Sequence, residues 1–135
     1  MTKPKAFRVA LSGTFQSGDG EPVFPMFDLA PLASDPDIEF SYVPGVDGRM
    51  TGESLDDFDA LVLLLERFDA DSIPRSGRLA LVTRFGVGYD TVDVPACTAA
   101  GNAVGITPDG VRRPVATAIL TYILALAGKL MAKDT

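Results

Sequence analysis

Leu79-Ala-Leu-Val-Thr83 followed by Arg84-Phe-Gly-Val-Gly-Tyr-Asp-Thr-Val-Asp93 is the stretch that decides the fold. Its first five residues read as a buried strand that runs straight into Gly86 and Gly88, separated only by Val87. Glycines there let the backbone turn sharply and leave N–H groups without side-chain cover. Such groups near a helix start form a concavity suited to a small carboxylate. Asp90 and Asp93 are both N-cap residue types, and Val92 to Ala100 reads as a short helix. The same spacing also suits a strand-to-helix turn that holds no ligand.

Downstream, Gly101-Asn-Ala-Val-Gly-Ile-Thr-Pro108 contains a short strand, Ala103 to Ile106, broken by Pro108. A long helix is expected from Val111 to about Lys133, close to 34 Å at about 1.5 Å per residue. Its residues Val115, Ile119, Leu120, Tyr122, Ile123, Leu124, Leu126 and Leu130 cover more than one face, which is too wide for a single core-facing stripe. Either the helix is sandwiched inside one domain, or it leaves this domain to pack against another.

Upstream, Phe7 to Ser12 and Ile38 to Val43 read as strands, the second near a sheet edge. A Gly/Pro-rich loop separates them, with an apolar patch from Phe24 to Leu32 that suits a short helix. Ala60 to Leu65 is a continuous apolar run, as a strand buried on both faces requires. Ser72 to Gly77 is a turn or short helix. Strands alternating with helices imply right-handed crossovers and a mainly parallel sheet, hence a flavodoxin-like three-layer α/β domain. Ligands of such sheets sit outside the carboxyl ends of the strands, where the Gly86–Gly88 turn falls.

Composition excludes several classes. At 135 residues and 47% apolar, the chain can bury its own core. Twelve basic against eighteen acidic residues give a net charge of −6, which disfavours nucleic acid and anionic membrane surfaces. The apolar run 115–127 is shorter than the roughly 20 residues of a membrane span, and Met1 to Arg8 lacks a signal-peptide core. Cys97, the single cysteine, is expected to be a buried packing residue, and a cytoplasmic location is expected. Ser12 to Gly18 faintly resembles a flavodoxin phosphate loop, but Asp19, Glu21 and Pro22 suit no dianion. No aspartate cluster ends the first strand, as a Mg²⁺-binding receiver needs, and Asp69 and Asp71 read as solvated charges. Glu66 and Arg67, just past a strand end, either face the cleft or form a surface ion pair.

The order Gly-x-Gly-x-Asp-x-Val-Asp (Gly86–Asp93), Ala-rich helix, Gly101-x-x-Val104, Thr107-Pro108, Val115-Ala116 and apolar helix resembles the D-isomer-specific 2-hydroxyacid dehydrogenases. The likeness is dense from residue 79 to 127. It implies that residues 1–108 form a substrate-binding domain and that 109–135 are an inter-domain helix opening a nucleotide-binding domain. It implies binding of a small 2-hydroxy or 2-keto acid at Gly86, Val87 and Gly88, with Asp90 bracing the loop and Thr107-Pro108 as the hinge. It further implies NAD or NADP as cofactor of the intact enzyme, and a homo-oligomer. Many members have Asn-Thr-Pro and Val-Ala-Glu where this chain has Ile106-Thr-Pro and Val115-Ala-Thr117.

The chain contains no histidine, the side chain suited to accept a hydroxyl proton near neutral pH. Gly86-Val-Gly88 is followed at the next fingerprint position by Thr91, so the Gly-x-Gly-x-x-Gly dinucleotide pattern is not met. Neither catalysis nor cofactor binding is therefore expected of these residues alone, and no metal set is evident. The chain reads as the substrate-binding part of a larger oxidoreductase, inactive by itself. The other reading is a free-standing small domain that binds a carboxylate or a protein partner without catalysis.

Overall fold

The computed structural model describes residues 5–129 and 132. Five strands, β1 (Phe7–Ser12), β2 (Ile38–Val43), β3 (Ala60–Leu63), β4 (Leu81–Arg84) and β5 (Ala103–Ile106), are all parallel and lie in the order β2-β1-β3-β4-β5. This is the flavodoxin-like strand order, with the reversal between β1 and β3. Four helices accompany them: α1 (Ala30–Ala33), α2 (Gly52–Leu55), α3 (Val94–Ala100) and α4 (Asp109–Ala127).

Strand alternation divides the core in two. Ala10, Leu61, Leu63 and Val82 point to one face, where Leu55 of α2 and Cys97 of α3 join Met50, Phe58 and Phe68. Val9, Leu11 and Ala60 point to the other, against Phe15, Phe27 and Leu32 of α1. Cys97 is fully buried, as expected of a packing residue, and burial pushes its thiol upward in pKa.

β3, β4 and α1 differ from the sequence reading, each for a local reason, and α3 starts at Val94, two residues later than expected. The apolar run at 60–65 leaves the ladder after Leu63 because the Leu64 N–H donates to Ser12 Oγ (2.9 Å) and the Leu65 N–H to Glu66 Oε2 (3.2 Å). β4 starts at Leu81 because its pairing with β3 begins at Ala60; before it, Arg78 is tied down by Asp59. Only Ala30–Ala33 of the 24–32 patch is helical, since Phe24 and Phe27 are drawn into an aromatic cluster.

Asp59 closes the amino ends of the strands. It accepts from the Arg8 N–H (2.7 Å) and, two-pronged, from Arg78 Nε (2.8 Å) and Nη2 (2.7 Å). The Arg78 hydrogen bond holds its carboxyl below the ordinary 3.8, against the opposing effect of burial. Asp69 and Asp71 are not merely solvated: both pair with Arg49, and Asp69 caps the 3-10 turn Ala70–Ser72.

α4 stands apart. It begins at Asp109, two residues earlier than expected, and its regular part ends at Ala127; Lys133 lies outside the described residues. None of its residues is buried, and Leu120, Tyr122, Leu124 and Leu126 are each at least 60% exposed. By length and composition, at a mean hydropathy of 1.2, it passes the test for a membrane-crossing helix. Arg112, Arg113 and Lys129, however, confine its uncharged stretch to Pro114–Gly128, about 22 Å and short of a hydrocarbon core of roughly 30 Å.

Candidate functional site

Because every strand is parallel, all carboxyl ends share one edge, and the chain's glycine turn leaves β4 there. Gly86 adopts φ +138°, a conformation L side chains rarely take, and is itself buried. β5 latches this turn: the Gly86 N–H donates to Thr107 Oγ1 (2.7 Å) and the Thr107 N–H to the Gly86 carbonyl (2.8 Å). Thr107 thus holds the turn directly, and Gly86 enters the site as its bend, with its own N–H already used. The N–H groups of Val87 and Gly88, both exposed, have no partner among the described residues. The sequence-predicted residues Gly86, Val87, Gly88 and Thr107 therefore come together, and Pro108 borders them.

Asp93 caps α3, its Oδ1 accepting from the Ala96 N–H (2.9 Å). Asp90 does not brace the loop by any hydrogen bond; it is exposed, with Oδ1 3.4 Å from where a Cβ on Gly88 would lie. Val92 N–H closes the turn onto Tyr89 instead (2.9 Å).

Sequence reasoning missed what backs this loop. Phe85 packs against Phe27 (ring centroids 5.1 Å apart), Phe15 (5.3 Å) and Phe24 (5.5 Å), so residues from the long loop after β1 support the first residue of the turn. Phe15 and Phe85 just after strand ends and two phenylalanines in the loop between β1 and β2 were the available signal, but their meeting depends on the strand order. The Arg84 guanidinium folds back over Gly86, its Nη1 donating to the Phe85 carbonyl and lying 3.0 Å from where a Gly86 Cβ would be.

Glu66 forms no ion pair with Arg67. It is 3% exposed, and it accepts from the Thr14 N–H (3.0 Å), Thr14 Oγ1 (2.7 Å) and the Leu65 N–H (3.2 Å). Burial opposes its ionisation, but these donors outweigh it and hold the carboxyl below its ordinary 4.5. The network ties the loop after β3 to the loop after β1 at the switch point, beside a groove of about 360 Å³ lined by Thr14, Ser17, Gly45 and Glu66.

Two further grooves open on the surface. An apolar one of about 420 Å³ runs between Val87, Pro108, Val111, Val115 and Ile119, joining the loop to α4. A wider one of about 530 Å³ near α2 is edged by Glu53, Asp56, Asp71 and Arg75. The glycine turn is not built as a dinucleotide cradle: the helix after it has seven residues, and the Asp93 carboxylate occupies its N-terminus where a pyrophosphate would need to lie.

The family described as D-isomer specific 2-hydroxyacid dehydrogenase, catalytic domain, matches residues 27–118. Glyoxylate reductase of Thermococcus gammatolerans is 39% identical over 84 residues, covering 62% of this chain and 25% of its own. Glyoxylate reductase of Pyrococcus horikoshii is 40% identical over 70 residues, covering 51% and 20%. This chain therefore spans about a quarter of the length of the curated relatives it matches. Among solved structures, NAD⁺-bound 3-phosphoglycerate dehydrogenase of Entamoeba histolytica superposes at a TM-score of 0.70 with 18% identity, over 89% of this chain and 39% of that one. NAD-dependent formate dehydrogenase of Staphylococcus aureus also reaches 0.70, with 17% identity over 95% and 40%. With the fold, the Gly86–Gly88 turn latched by Thr107 and the family match all in register, the chain belongs to the D-isomer-specific 2-hydroxyacid dehydrogenase family, through its catalytic domain.

Proposed function

We propose that this chain is the substrate-binding part of an NAD(P)-dependent oxidoreductase acting on a small 2-hydroxy or 2-keto acid, and that it is inactive by itself. The observation that carries the reading is the pair of unpartnered N–H groups at Val87 and Gly88, held outward by a turn whose other donor is satisfied. Two preorganised N–H groups at a sheet's carboxyl edge are donors for one substrate carboxylate. Thr107-Pro108 then serves as the hinge to residues 109–135, and the exposed apolar face of α4 is the surface that packs on a nucleotide-binding domain and contributes to a homo-oligomer. The intact reaction is hydride exchange between nicotinamide and the C2 atom of the acid, and the nicotinamide is held by residues other than those described. A cytoplasmic setting suits the single buried thiol.

The test is a titration of isotopically labelled chain with pyruvate and glyoxylate, following the Val87 and Gly88 amide resonances, together with an assay of NADH oxidation. Saturable shifts at both amides without NADH oxidation support the reading. Oxidation of NADH by this chain alone would overturn its inactivity, and silent amides would overturn the carboxylate cradle. The second reading, a free-standing carboxylate-binding domain, is favoured by one observation: both core clusters close on themselves without α4. It predicts the same amide shifts in a monodisperse monomer.

A further inference from the structure

We propose that Glu66 is a positioning residue for the loop after β4: acting through Thr14 and Phe15, and only as a carboxylate, it fixes where the Val87 and Gly88 N–H groups stand. The proposal rests on the reading of Val87 and Gly88 as carboxylate donors. Glu66 acts on that cradle from behind and not by touching the ligand.

Glu66 is buried just past β3 and joins two loops at the carboxyl edge of the sheet. Its Oε1 accepts from the Thr14 N–H (3.0 Å), and its Oε2 accepts from Thr14 Oγ1 (2.7 Å) and the Leu65 N–H (3.2 Å). Thr14 is the middle residue of the 3-10 turn Gly13–Phe15, so the carboxylate sets that turn against the end of β3. Phe15, next in the chain, stacks on Phe27 (5.1 Å between ring centroids) and meets Phe85 edge-on at 78°. Phe85 is tied to β3 by its own N–H, which donates to the Leu63 carbonyl (2.8 Å), and Gly86 follows it directly. Displacing Thr14 therefore displaces Phe15, and in a close-packed cluster the movement passes to Phe85 and the turn that it begins.

The arrangement demands an ionised side chain. The Thr14 and Leu65 N–H groups can only donate, and they address different oxygens of Glu66. A glutamine in either orientation sets its NH₂ against one of them, and a protonated acid accepts more weakly from both. Among the described residues no cation forms an ion pair with Glu66, so hydrogen bonds alone hold the charge. The elements packed around it carry Asp19 and Glu21 on the loop after β1, Asp47 and Arg49 on the loop after β2, and the adjoining Arg67. Arg49 is engaged by Asp69 and Asp71. At the cradle, Asp90 is the carboxylate close to Gly88.

The labelled chain is titrated with pyruvate at neutral pH, reading the Val87 and Gly88 amides, for wild type, Glu66→Gln, Thr14→Val, Phe15→Leu, the double variant Glu66→Gln/Phe15→Leu and the remote exposed Glu53→Gln. Glu53→Gln is expected to bind as wild type does. Glu66→Gln is expected to bind at least about tenfold more weakly, with both amide resonances already displaced in the unliganded chain. Thr14→Val removes one donor, keeps the carboxylate and serves if the glutamine variant fails to fold; it is expected to weaken binding by about threefold or more. In the Phe15→Leu background the route is already cut, so adding Glu66→Gln is expected to change affinity by no more than about twofold. A second readout is the unliganded chain carrying Asp90→Asn, which removes the nearby carboxylate. There the Val87 and Gly88 resonances are expected to move together with that of Thr14 as pH falls below 4.5, and to stop doing so when Glu66→Gln is added. Glu66→Gln and Thr14→Val variants that fold and bind as wild type does, or Val87 and Gly88 resonances that stay still while Thr14 titrates, overturn the role of Glu66. Full additivity with Phe15→Leu overturns the route through Phe15. Wild-type amides silent to pyruvate overturn the cradle reading instead, and the pH readout of the unliganded chain still decides whether Glu66 sets that loop.

Discussion

At the scale of single residues, Gly86 carries two demands at once, a φ of +138° and room for the Arg84 guanidinium. Gly86→Ala meets neither, and it is expected to lower stability by about 1–3 kcal/mol in urea titration and to abolish the pyruvate-induced shifts at Val87 and Gly88. Glu66 is the second decisive residue, since its charged form is the one that Thr14 and Leu65 solvate. Glu66→Gln is expected to cost about 1–3 kcal/mol at neutral pH. The sign of its pH dependence follows from its carboxyl lying below the ordinary 4.5 when folded: the stabilisation is complete above that value and is lost as pH falls through the lowered one. The stability difference between wild type and Glu66→Gln should therefore narrow as pH falls below the ordinary 4.5; a difference constant with pH would sink this account.

At the scale of elements, the site is assembled by the ends of strands that are distant in sequence. Phe15, 2% exposed and in the 3-10 turn after β1, bridges to Phe27 and Phe85 and so holds the loop after β4 from behind. Phe15→Ala is expected to destabilise the fold by about 3–5 kcal/mol and, where the variant is still folded, to broaden the Val87 and Gly88 amide resonances. Much of this layer was legible in the sequence. β1, β2 and β5 have the residues expected, since alternation and turn residues mark them. β3 was misplaced at its end and β4 at both ends, because hydropathy registers apolar character and not which acceptor a given N–H finds. Ser12 Oγ and Glu66 take the donors of Leu64 and Leu65, and Asp59 holds Arg78, so both boundaries are set by side chains from elsewhere.

At the scale of the whole molecule, the sheet and its two clusters form one closed unit, and α4 projects an apolar surface with no cover among the described residues. Such a surface favours association. The pair Leu120→Gln and Leu124→Gln, at positions 60% and 69% exposed, is expected to reduce self-association in sedimentation velocity while changing the unfolding free energy from urea titration by no more than about 0.5 kcal/mol per site. A large loss of stability would instead mean that these leucines pack within the domain. The same calculation explains why the breadth of apolar residues on this helix pointed outside the domain: a helix with no buried residue cannot be justified by its own core.

Strand succession, the glycine turn at the end of a buried strand and the absence of histidine and of a dinucleotide fingerprint were determined by the sequence alone, because they depend only on residue type and spacing. The tertiary structure decided which of those features act together. Thr107 reaches Gly86 only because β5 lies beside β4, and that contact uses the Gly86 donor and leaves Val87 and Gly88 free. Glu66 meets Thr14 only because β1 and β3 are neighbours across the reversal of strand order. Arg84 turns to the Phe85 carbonyl because no carboxylate among the described residues is folded against it. Hydrogen bonds and ion pairs depend on distances of a few ångströms between residues tens of positions apart, and only the packed sheet sets those distances.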